Sequence, residues 1–271
     1  MTEIKFIDTH CHLDAAEFDA DREQVHARAL AAGVATQVVP AISEVNCVAV
    51  ADVCRRYPGC LPAWGMHPMY VNTHETAHLA ALRRRIDEWR PVAIGEIGLD
   101  LFASGLDFST QEFFYIEQLK IARDYDLPVL LHCRRANDPI LKQLRRVGVK
   151  AGIAHAFSGS RQQAEQFLKL GFKLGFGGAF TWSRASNLRG LARELPLDAI
   201  VLETDSPDIP PVWLGRNRNE PAELVGIANE LAALRGISVE EVARATSLNA
   251  WSVLGLSLPT LACSQPLLPL G

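Results

Sequence analysis

The chain has 271 residues, of which 48% are hydrophobic and 21% are charged. This composition supplies enough apolar material for one large packed domain or two small ones and excludes a wholly disordered chain. The formal net charge of −4 gives no general attraction to nucleic acid or to anionic membranes. A phosphate-bearing substrate would therefore need a local basic pocket or a metal ion.

The N-terminal residues and the cysteines indicate where the protein resides. Residues 1–5 lack the basic start and apolar run of a signal peptide. No segment approaches the roughly 18 uninterrupted apolar residues of a membrane span. Six cysteines are scattered without any C-x-x-C pair, which favours reduced thiols over disulfides or a structural zinc site. We therefore predict a cytoplasmic protein that makes no membrane contact.

Short apolar runs recur along the chain at fairly even intervals. Most are nearly continuous rather than alternating, a pattern typical of parallel strands covered on both faces. The predicted strands cover residues 4–9, 35–41, 61–66, 92–97, 128–132, 151–156, 172–177 and 200–204. Amphipathic patterns between and after them predict helices at 19–32, 43–56, 78–89, 110–125, 161–170, 221–235 and 238–253.

Strands that alternate with helices in this way predict the fold class. Eight of them within about 250 residues indicate an α/β protein of the (β/α)8 TIM-barrel type, as a single domain over residues 1–256. An open, doubly wound sheet is the alternative, because a sequence pattern does not show whether the sheet closes. Residues 257–271 contain three prolines and are predicted to form an irregular C-terminal tail.

The strongest local signal follows the first predicted strand, in Asp8-Thr9-His10-Cys11-His12. Strand side chains alternate between two faces, so His10 and His12 point to the same side. Two imidazoles on one face form half of a metal site. Two independent histidines at a polar strand end are the alternative interpretation of this segment alone.

Ionisable residues also end four other predicted strands, as Glu96, His132, His155 and Asp205. The carboxyl ends of parallel barrel strands converge on one rim, where barrel enzymes have their active sites. A lone His or Asp at such a place is more often a helix cap or a satisfied buried group. A whole set of these costly groups needs charge compensation, which a divalent metal supplies. The predicted metal ligands are therefore His10, His12, Glu96, His132, His155 and Asp205.

Six short motifs, in order along the chain, resemble those of the TatD family of metal-dependent deoxyribonucleases. They are Asp-Thr-His-Cys-His-Leu-Asp (8–14), Gly-Met-His-Pro (65–68), Gly-Glu-Ile-Gly-Leu-Asp (95–100), Leu-His-Cys-Arg (131–134), His-Ala-Phe-Ser-Gly (155–159) and Glu-Thr-Asp-Ser-Pro (203–207). More broadly the chain is similar to the amidohydrolase barrels. Glu96 occupies a position where many binuclear members have a modified lysine, which favours the TatD branch. Leu101 replaces the tyrosine of TatD-type members, as in a less characterised subgroup.

The resemblance implies two divalent cations bridged by Glu96. One would be held mainly by His10, His12 and Asp205, and the other by His132 and His155. A carboxylate suits the bridging role because its two oxygens can span metals about 3.5–4 Å apart. Asp205 is the candidate for orienting the attacking water and accepting its proton, so Asp205 and Glu96 are the predicted catalytic residues.

The identity of the metal is open between magnesium, manganese and zinc. Four histidines suit zinc or manganese better than magnesium, which prefers oxygen ligands and retained water. The family's nucleases are nonetheless described as supported by magnesium or manganese.

Candidate substrate-binding residues are His67, Arg134 and Ser158. His67 ends the third predicted strand, where contact with substrate and support of a ligand are both open. Arg134 follows His132 and could clamp a phosphate with its forked donors, although a solvated surface charge is the alternative. Ser158 begins a turn before a helix whose amides could cradle a phosphate; a plain helix cap explains the turn equally well.

The expected activity is hydrolysis of phosphodiester bonds at DNA ends by metal-activated water, of the 3′–5′ exonuclease type. The same chemistry can attack a carbonyl, so a metal-dependent ester or amide hydrolase, such as an aminoacyl-tRNA deacylase or a small-molecule amidohydrolase, is the alternative. The substrate is accordingly expected to be a DNA end or a small phosphate or carboxyl ester. A non-catalytic scaffold is disfavoured because all six ligand candidates are present. The sequence indicates no obligate protein partner.

Overall fold

Eight parallel strands form one continuous sheet, with neighbours paired in sequence order. The computed structural model of the chain describes residues 5–256. The strands are β1 (Phe6–Asp8), β2 (Val34–Pro40), β3 (Cys60–Trp64), β4 (Ala93–Asp100), β5 (Val129–Arg134), β6 (Gly152–Ala154), β7 (Phe172–Phe176) and β8 (Ile200–Leu202). Every neighbouring pair is parallel, as expected when each connection contains a helix.

Backbone hydrogen bonds just beyond β1 and β8 join the two ends of the sheet. The amide of Thr9 donates to the carbonyl oxygen of Leu202 at 3.1 Å, and the amide of Asp205 donates to that of His10 at 2.8 Å. The sheet therefore closes. The predicted (β/α)8 barrel is confirmed, and the open doubly wound alternative is wrong.

A helix follows each strand, and a second one follows the last helix of that series. The helices are α1 (Arg22–Ala31), α2 (Cys47–Arg56), α3 (Thr76–Glu88), α4 (Phe108–Asp124), α5 (Asn137–Val147), α6 (Arg161–Lys169), α7 (Ser186–Glu194), α8 (Leu224–Arg235) and α9 (Val239–Val253). The first two begin three and four residues later than predicted, because short turns precede them. The turn before α1 covers residues 19–21 and directly follows the 3-10 segment Ala16–Phe18.

The barrel interior changes from apolar to ionisable along its axis. One small apolar cluster takes a residue from each of seven strands and is closed by two residues of α9 and by the residue that follows it: Ile7, Val38, Ala63, Ala93, Leu130, Ile153, Val201, Ala250, Val253 and Leu254. His132 and His155 each lie two residues beyond a member of this cluster, on the same strand face. The fold thereby directs these two rings into the carboxyl end of the barrel. A larger apolar layer fills the space between sheet and helices.

Other sequence predictions concern the ends of the chain and its surroundings. The predicted irregular tail at 257–271 lies outside the described residues, so the boundary at residue 256 stays a prediction. Across residues 5–256, no helix has both the length and the apolar character that a bilayer crossing requires. The cysteines in the same range, Cys11, Cys47, Cys54, Cys60 and Cys133, are free thiols.

Two glycines allow backbone strain to be separated from steric exclusion. Gly98 in β4 has φ 147°, and a Cβ there would lie 2.0 Å from the carbonyl oxygen of His132. Gly148, at the end of α5, has φ 77°, with no atom within 4 Å of the position of a Cβ.

We expect Gly148→Ala to lower the free energy of unfolding by about 1 kcal/mol, through backbone strain alone. Gly98→Ala should cost about 3 kcal/mol or more, because neither paired strand can move aside.

Chemical denaturation of both variants beside the parent chain measures this difference. Equal losses at the two glycines would contradict the close approach of β4 and β5.

Candidate metal centre

All six predicted ligands meet at the carboxyl rim of the barrel. His10 and His12 come from the segment after β1, and Glu96 from the middle of β4. Nε2 of His10 lies 3.1 Å from Oε2 of Glu96, and Nε2 of His12 lies 3.7 Å from the same oxygen. Oδ1 of Asp205, beyond β8, lies 3.7 Å and 3.8 Å from these two nitrogens. Residues almost 200 positions apart in the sequence thus share one small volume.

Within residues 5–256, three groups of donor atoms are compact enough to hold a metal ion, with all atoms of a group within 4.8 Å of one another. They are His10 with His12 and Glu96, His10 with His155 and Asp205, and His67 with Glu96 and His132. Glu96 takes part in two groups through different oxygens. Its Oε2 faces His10 and His12, while its Oε1 faces His67 and His132. A carboxylate that bridges two metals needs this arrangement.

The grouping differs in one respect from the division that the family resemblance implies. His155, expected beside His132, stacks on His10 with ring centroids 3.6 Å apart. Its Nε2 lies 3.5 Å from Oδ1 of Asp205. The place beside His132 and Glu96 is taken by His67, which the sequence suggested only for substrate contact or support.

Carboxylates behind two of the rings determine which nitrogen faces the centre. Nε2 of His132 lies 2.9 Å from Oδ2 of Asp100, and Nδ1 of His155 lies 3.1 Å from Oε1 of Glu203. An ionised carboxylate only accepts hydrogen bonds, so Asp100 holds a proton on Nε2 of His132, and the charge of Glu203 favours a proton on Nδ1 of His155. The opposite nitrogens face the centre, where Nδ1 of His132 lies 3.0 Å from Oε1 of Glu96 and Nε2 of His155 lies 3.5 Å from Oδ1 of Asp205. A metal ion bound there would use the lone pairs of these inner nitrogens, while the outer nitrogens keep their protons. Metal-binding histidines are commonly oriented in this way.

His67 has the opposite orientation. The amide of Met69 donates to Nδ1 of His67 at 3.1 Å, so the neutral ring carries its proton on Nε2. That nitrogen lies 3.1 Å from Oε1 of Glu96 and donates to it. Neutral His67 therefore offers a proton rather than a lone pair to the centre. Its hydrogen bonds favour a role as donor to Glu96 or to a substrate over a role as ligand.

The centre is buried and carries an excess of acidic groups. Within residues 5–256, no Lys or Arg forms an ion pair with Glu96 or Asp205; their close partners are imidazoles. Burial would raise the pKa of Glu96, but His67 and His10 hold it well below its usual range. Burial raises the pKa of Asp205 to about 6, although His155 and His12 lower it. Such a site needs a positive species for compensation, which is the requirement of a divalent cation site.

The pKa values of the stacked rings of His155 and His10 shift in opposite directions. Burial alone would lower the pKa of His155, but the carboxylates of Glu203 and Asp205 raise it to about 10. Burial and the neighbouring charge of His155 lower the pKa of His10 well below its usual value. One of the two stacked rings thus takes a proton while the other stays neutral. A metal ion that uses both rings as ligands must displace that proton.

Three further buried acids support the ligands. They are Glu203, Asp100 and Asp8, none of which is among the six predicted ligands. Asp100 lies four residues after Glu96 on the same buried strand. Side chains an even number of residues apart share one face of a strand, so this spacing was the sequence signal that Asp100 lies near the ligands. Asp8 accepts from the amides of Thr204 at 3.0 Å and His10 at 3.2 Å, and burial raises its pKa to about 8. Asp8 thereby ties the two chain segments that carry the ligands.

An open cavity of about 1010 Å³ lies above the centre. The three predicted substrate-binding residues, His67, Arg134 and Ser158, all line it. Ser158 is exposed, but the cap of α6 is Ser160, whose Oγ accepts from the amide of Gln163 at 3.1 Å. The structure therefore places Ser158 on the wall of the cavity and outside the capping interaction.

Comparison with known proteins gives four concordant matches. Residues 7–255 match the family model described as TatD related DNase. The chain is 40% identical over 256 residues to the uncharacterized metal-dependent hydrolase YjjV of Escherichia coli K12, over 93% of this chain and 98% of that protein. The crystal structure of YjjV, a TatD homolog, matches with a TM-score of 0.90 and 38% identity, over 94% of this chain and 100% of that one. The 3′-5′ ssDNA/RNA exonuclease TatD of Erwinia amylovora is 33% identical over 261 residues, 92% of this chain and 99% of that protein.

The contact between Asp100 and His132 makes a testable prediction. Asp100→Asn keeps the shape of the side chain but removes the charge that orients the ring. We expect metal affinity to fall about 10- to 100-fold with folding intact, as for other residues that support ligands. Competition with a chelator measures the affinity. Asp126→Asn, which alters an exposed acid paired with Lys150, is the control and should leave it unchanged. Equal affinities in the two variants would contradict the orienting role.

Proposed function

We propose a function for this protein from one premise: the chain belongs to the TatD family of metal-dependent hydrolases. The proposed activity is a 3′–5′ exonuclease that hydrolyses phosphodiester bonds at the ends of single-stranded DNA or RNA. The E. amylovora relative carries that activity in its name, and the two proteins correspond over nearly their full lengths. The observation that carries the proposal is Glu96, whose two oxygens face separate sets of imidazoles.

The proposed cofactor is a pair of divalent cations held by the six predicted ligands, with Glu96 shared between them. The fit rests on two features of the described residues: buried carboxylates that are paired with no Lys or Arg there, and imidazole nitrogens directed toward those carboxylates. When bound, such cations lower the pKa of water and neutralise charge on phosphate oxygens. Because imidazoles predominate, the donor set suits zinc or manganese better than magnesium.

Asp205 is the proposed proton acceptor. Its pKa of about 6 leaves it mostly ionised at neutral pH and yet basic enough to take a proton from water. Its backbone is held at φ 57°, an uncommon conformation for a residue with a Cβ. The hydrogen bond from its amide to the carbonyl of His10 fixes that geometry. Strained backbone of this kind persists where the surroundings determine it, and it is frequent at active sites.

Residues on the cavity wall are proposed to hold the phosphate. Arg134 offers a forked set of donors that fits a phosphate group. Nε2–H of His67, which donates to Glu96, faces the same cavity and can donate to a phosphate oxygen instead. Ser158 adds a hydroxyl on the adjacent wall. Together these groups would position the scissile bond against the centre.

An aminoacyl ester is a second candidate substrate, favoured by one acidic part of the cavity wall. Asp14 and Glu17 line the cavity, and Nδ2 of Asn46 donates to Asp14 at 2.7 Å. An α-ammonium group would be attracted to these carboxylates, and the same activated water can attack an ester carbonyl. This activity would make the protein a deacylase rather than a nuclease.

The nuclease proposal predicts stepwise shortening of a 5′-labelled single-stranded oligonucleotide in the presence of manganese. Asp205→Asn should reduce the rate at least about 100-fold, since general-base catalysis contributes that much or more. Asp198→Asn, at an exposed aspartate outside the cavity, should not change the rate. An aminoacyl ester tested on the same preparation distinguishes the two substrates. Hydrolysis of that ester without any shortening of the oligonucleotide would reject the nuclease in favour of the deacylase.

A further inference from the structure

We propose that Phe102, Arg134 and Arg135 form a ledge on which a nucleobase stacks, namely the base of the nucleotide whose phosphate is hydrolysed. This inference rests on the proposed action on nucleic acid and specifies how the substrate is held. In the proposed function, Arg134 binds only the phosphate of the substrate. Phe102 and Arg135 have no part in the metal centre or in the proton transfer.

The three side chains form one packed unit at the mouth of the cavity. The guanidinium carbon of Arg134 lies 3.9 Å from the centroid of the Phe102 ring, and that of Arg135 lies 4.6 Å from it. Both distances are within the range of cation–π contacts. Phe102 nevertheless remains 50% exposed, so much of the ring is free for another flat group. All three residues line the cavity.

The ledge is joined to the metal centre through short contacts. The amide of Phe102 donates to Oδ1 of Asp100 at 2.8 Å, and Oδ2 of Asp100 contacts His132 at 2.9 Å. His132 in turn lies 3.0 Å from Glu96. The residue that orients a predicted ligand thus also fixes the loop that carries Phe102. A substrate phosphate at the centre therefore has the ledge beside it.

The charges of the ledge are available to a ligand. Within the described part of the chain, neither Arg134 nor Arg135 lies within 4.0 Å of a carboxylate, whereas the exposed Arg28, for example, is paired with Asp21 and Glu220. Arg135 also has φ 55°, an uncommon backbone conformation for a residue with a side chain. Two unpaired cations against one ring repel each other. An anionic, flat ligand would relieve this repulsion and cover the exposed ring.

A nucleotide is the ligand class that matches these features. Its phosphate is attracted to the guanidinium groups, while its base stacks on aromatic rings and on guanidinium planes. An aliphatic aminoacyl group lacks the flat aromatic surface, and the ammonium of any aminoacyl group would be repelled by the two arginines. Phe102 has no hydrogen-bonding group in its side chain, so stacking on it would not select one base over another. The ledge therefore predicts affinity for nucleotides in general.

Calorimetric titration of the metal-loaded protein with two phosphate monoesters tests the ledge. Thymidine 5′-monophosphate and 2-deoxyribose 5-phosphate share the sugar and the phosphate, and only the first has a base. We expect the base to improve affinity about tenfold, within the range of one stacked base. Phe102→Ala should reduce that preference to less than about twofold, and Phe102→Trp should retain it. Arg134→Ala should weaken both ligands, because both carry the phosphate.

Phe113→Ala is the matched control. Phe113 is similarly exposed, at 43%, but lies on α4 outside the cavity, so its loss should leave the preference intact. Equal affinity of the parent protein for both ligands would overturn the ledge, as would a full preference in Phe102→Ala. No bond is cleaved in this titration. Another outcome is a base preference that depends on Phe102, although the protein shortens no oligonucleotide. That result would support the ledge and contradict the exonuclease activity.

Discussion

The structure depends on how the negative charge of a set of buried carboxylates is compensated. Glu96 and Asp205 lie at the end of an otherwise apolar barrel, with imidazoles as their close partners and with no Lys or Arg paired to them within residues 5–256. Burying such charges without compensation costs several kcal/mol for each ion. Protons offset part of that cost, as the raised pKa values of Asp205 and His155 indicate. Divalent cations offset it more completely, which connects the fold directly to the family's metal-dependent chemistry.

The supporting acids also connect the centre to the rest of the barrel. Asp8 joins the segment after β1 to the segment after β8, at the point where the sheet closes. Asp100 links β4 to β5 through His132, and Glu203 links the end of β8 to His155. The contacts that orient the ligands therefore also join the carboxyl ends of different strands. Loss of one of these acids should alter metal affinity more than it alters the core packing below.

The sequence predicted the barrel and the convergence of six ligands because both follow from local patterns. Continuous apolar runs mark the strands, and His132 or His155 at the end of such a run is necessarily placed at the rim. The orientation of His67 did not follow, because the amide of Met69 fixes its proton only once the turn after β3 has formed. The place of His155 beside His10 depends on Glu203 and Asp205, which are distant in sequence. The contact of Phe102 with two arginines likewise requires the loop after β4 to meet the end of β5.

We propose that Glu96 is shared by two cations in one buried centre. The most direct test is the metal content of the purified chain after it is loaded with manganese or zinc and freed of excess metal, measured by inductively coupled plasma mass spectrometry. We predict about two ions per chain in the parent protein and fewer than one in Glu96→Ala, since loss of the shared ligand disrupts both positions. Less than one ion per chain in the parent, or an unchanged content in Glu96→Ala, would contradict the bridged centre.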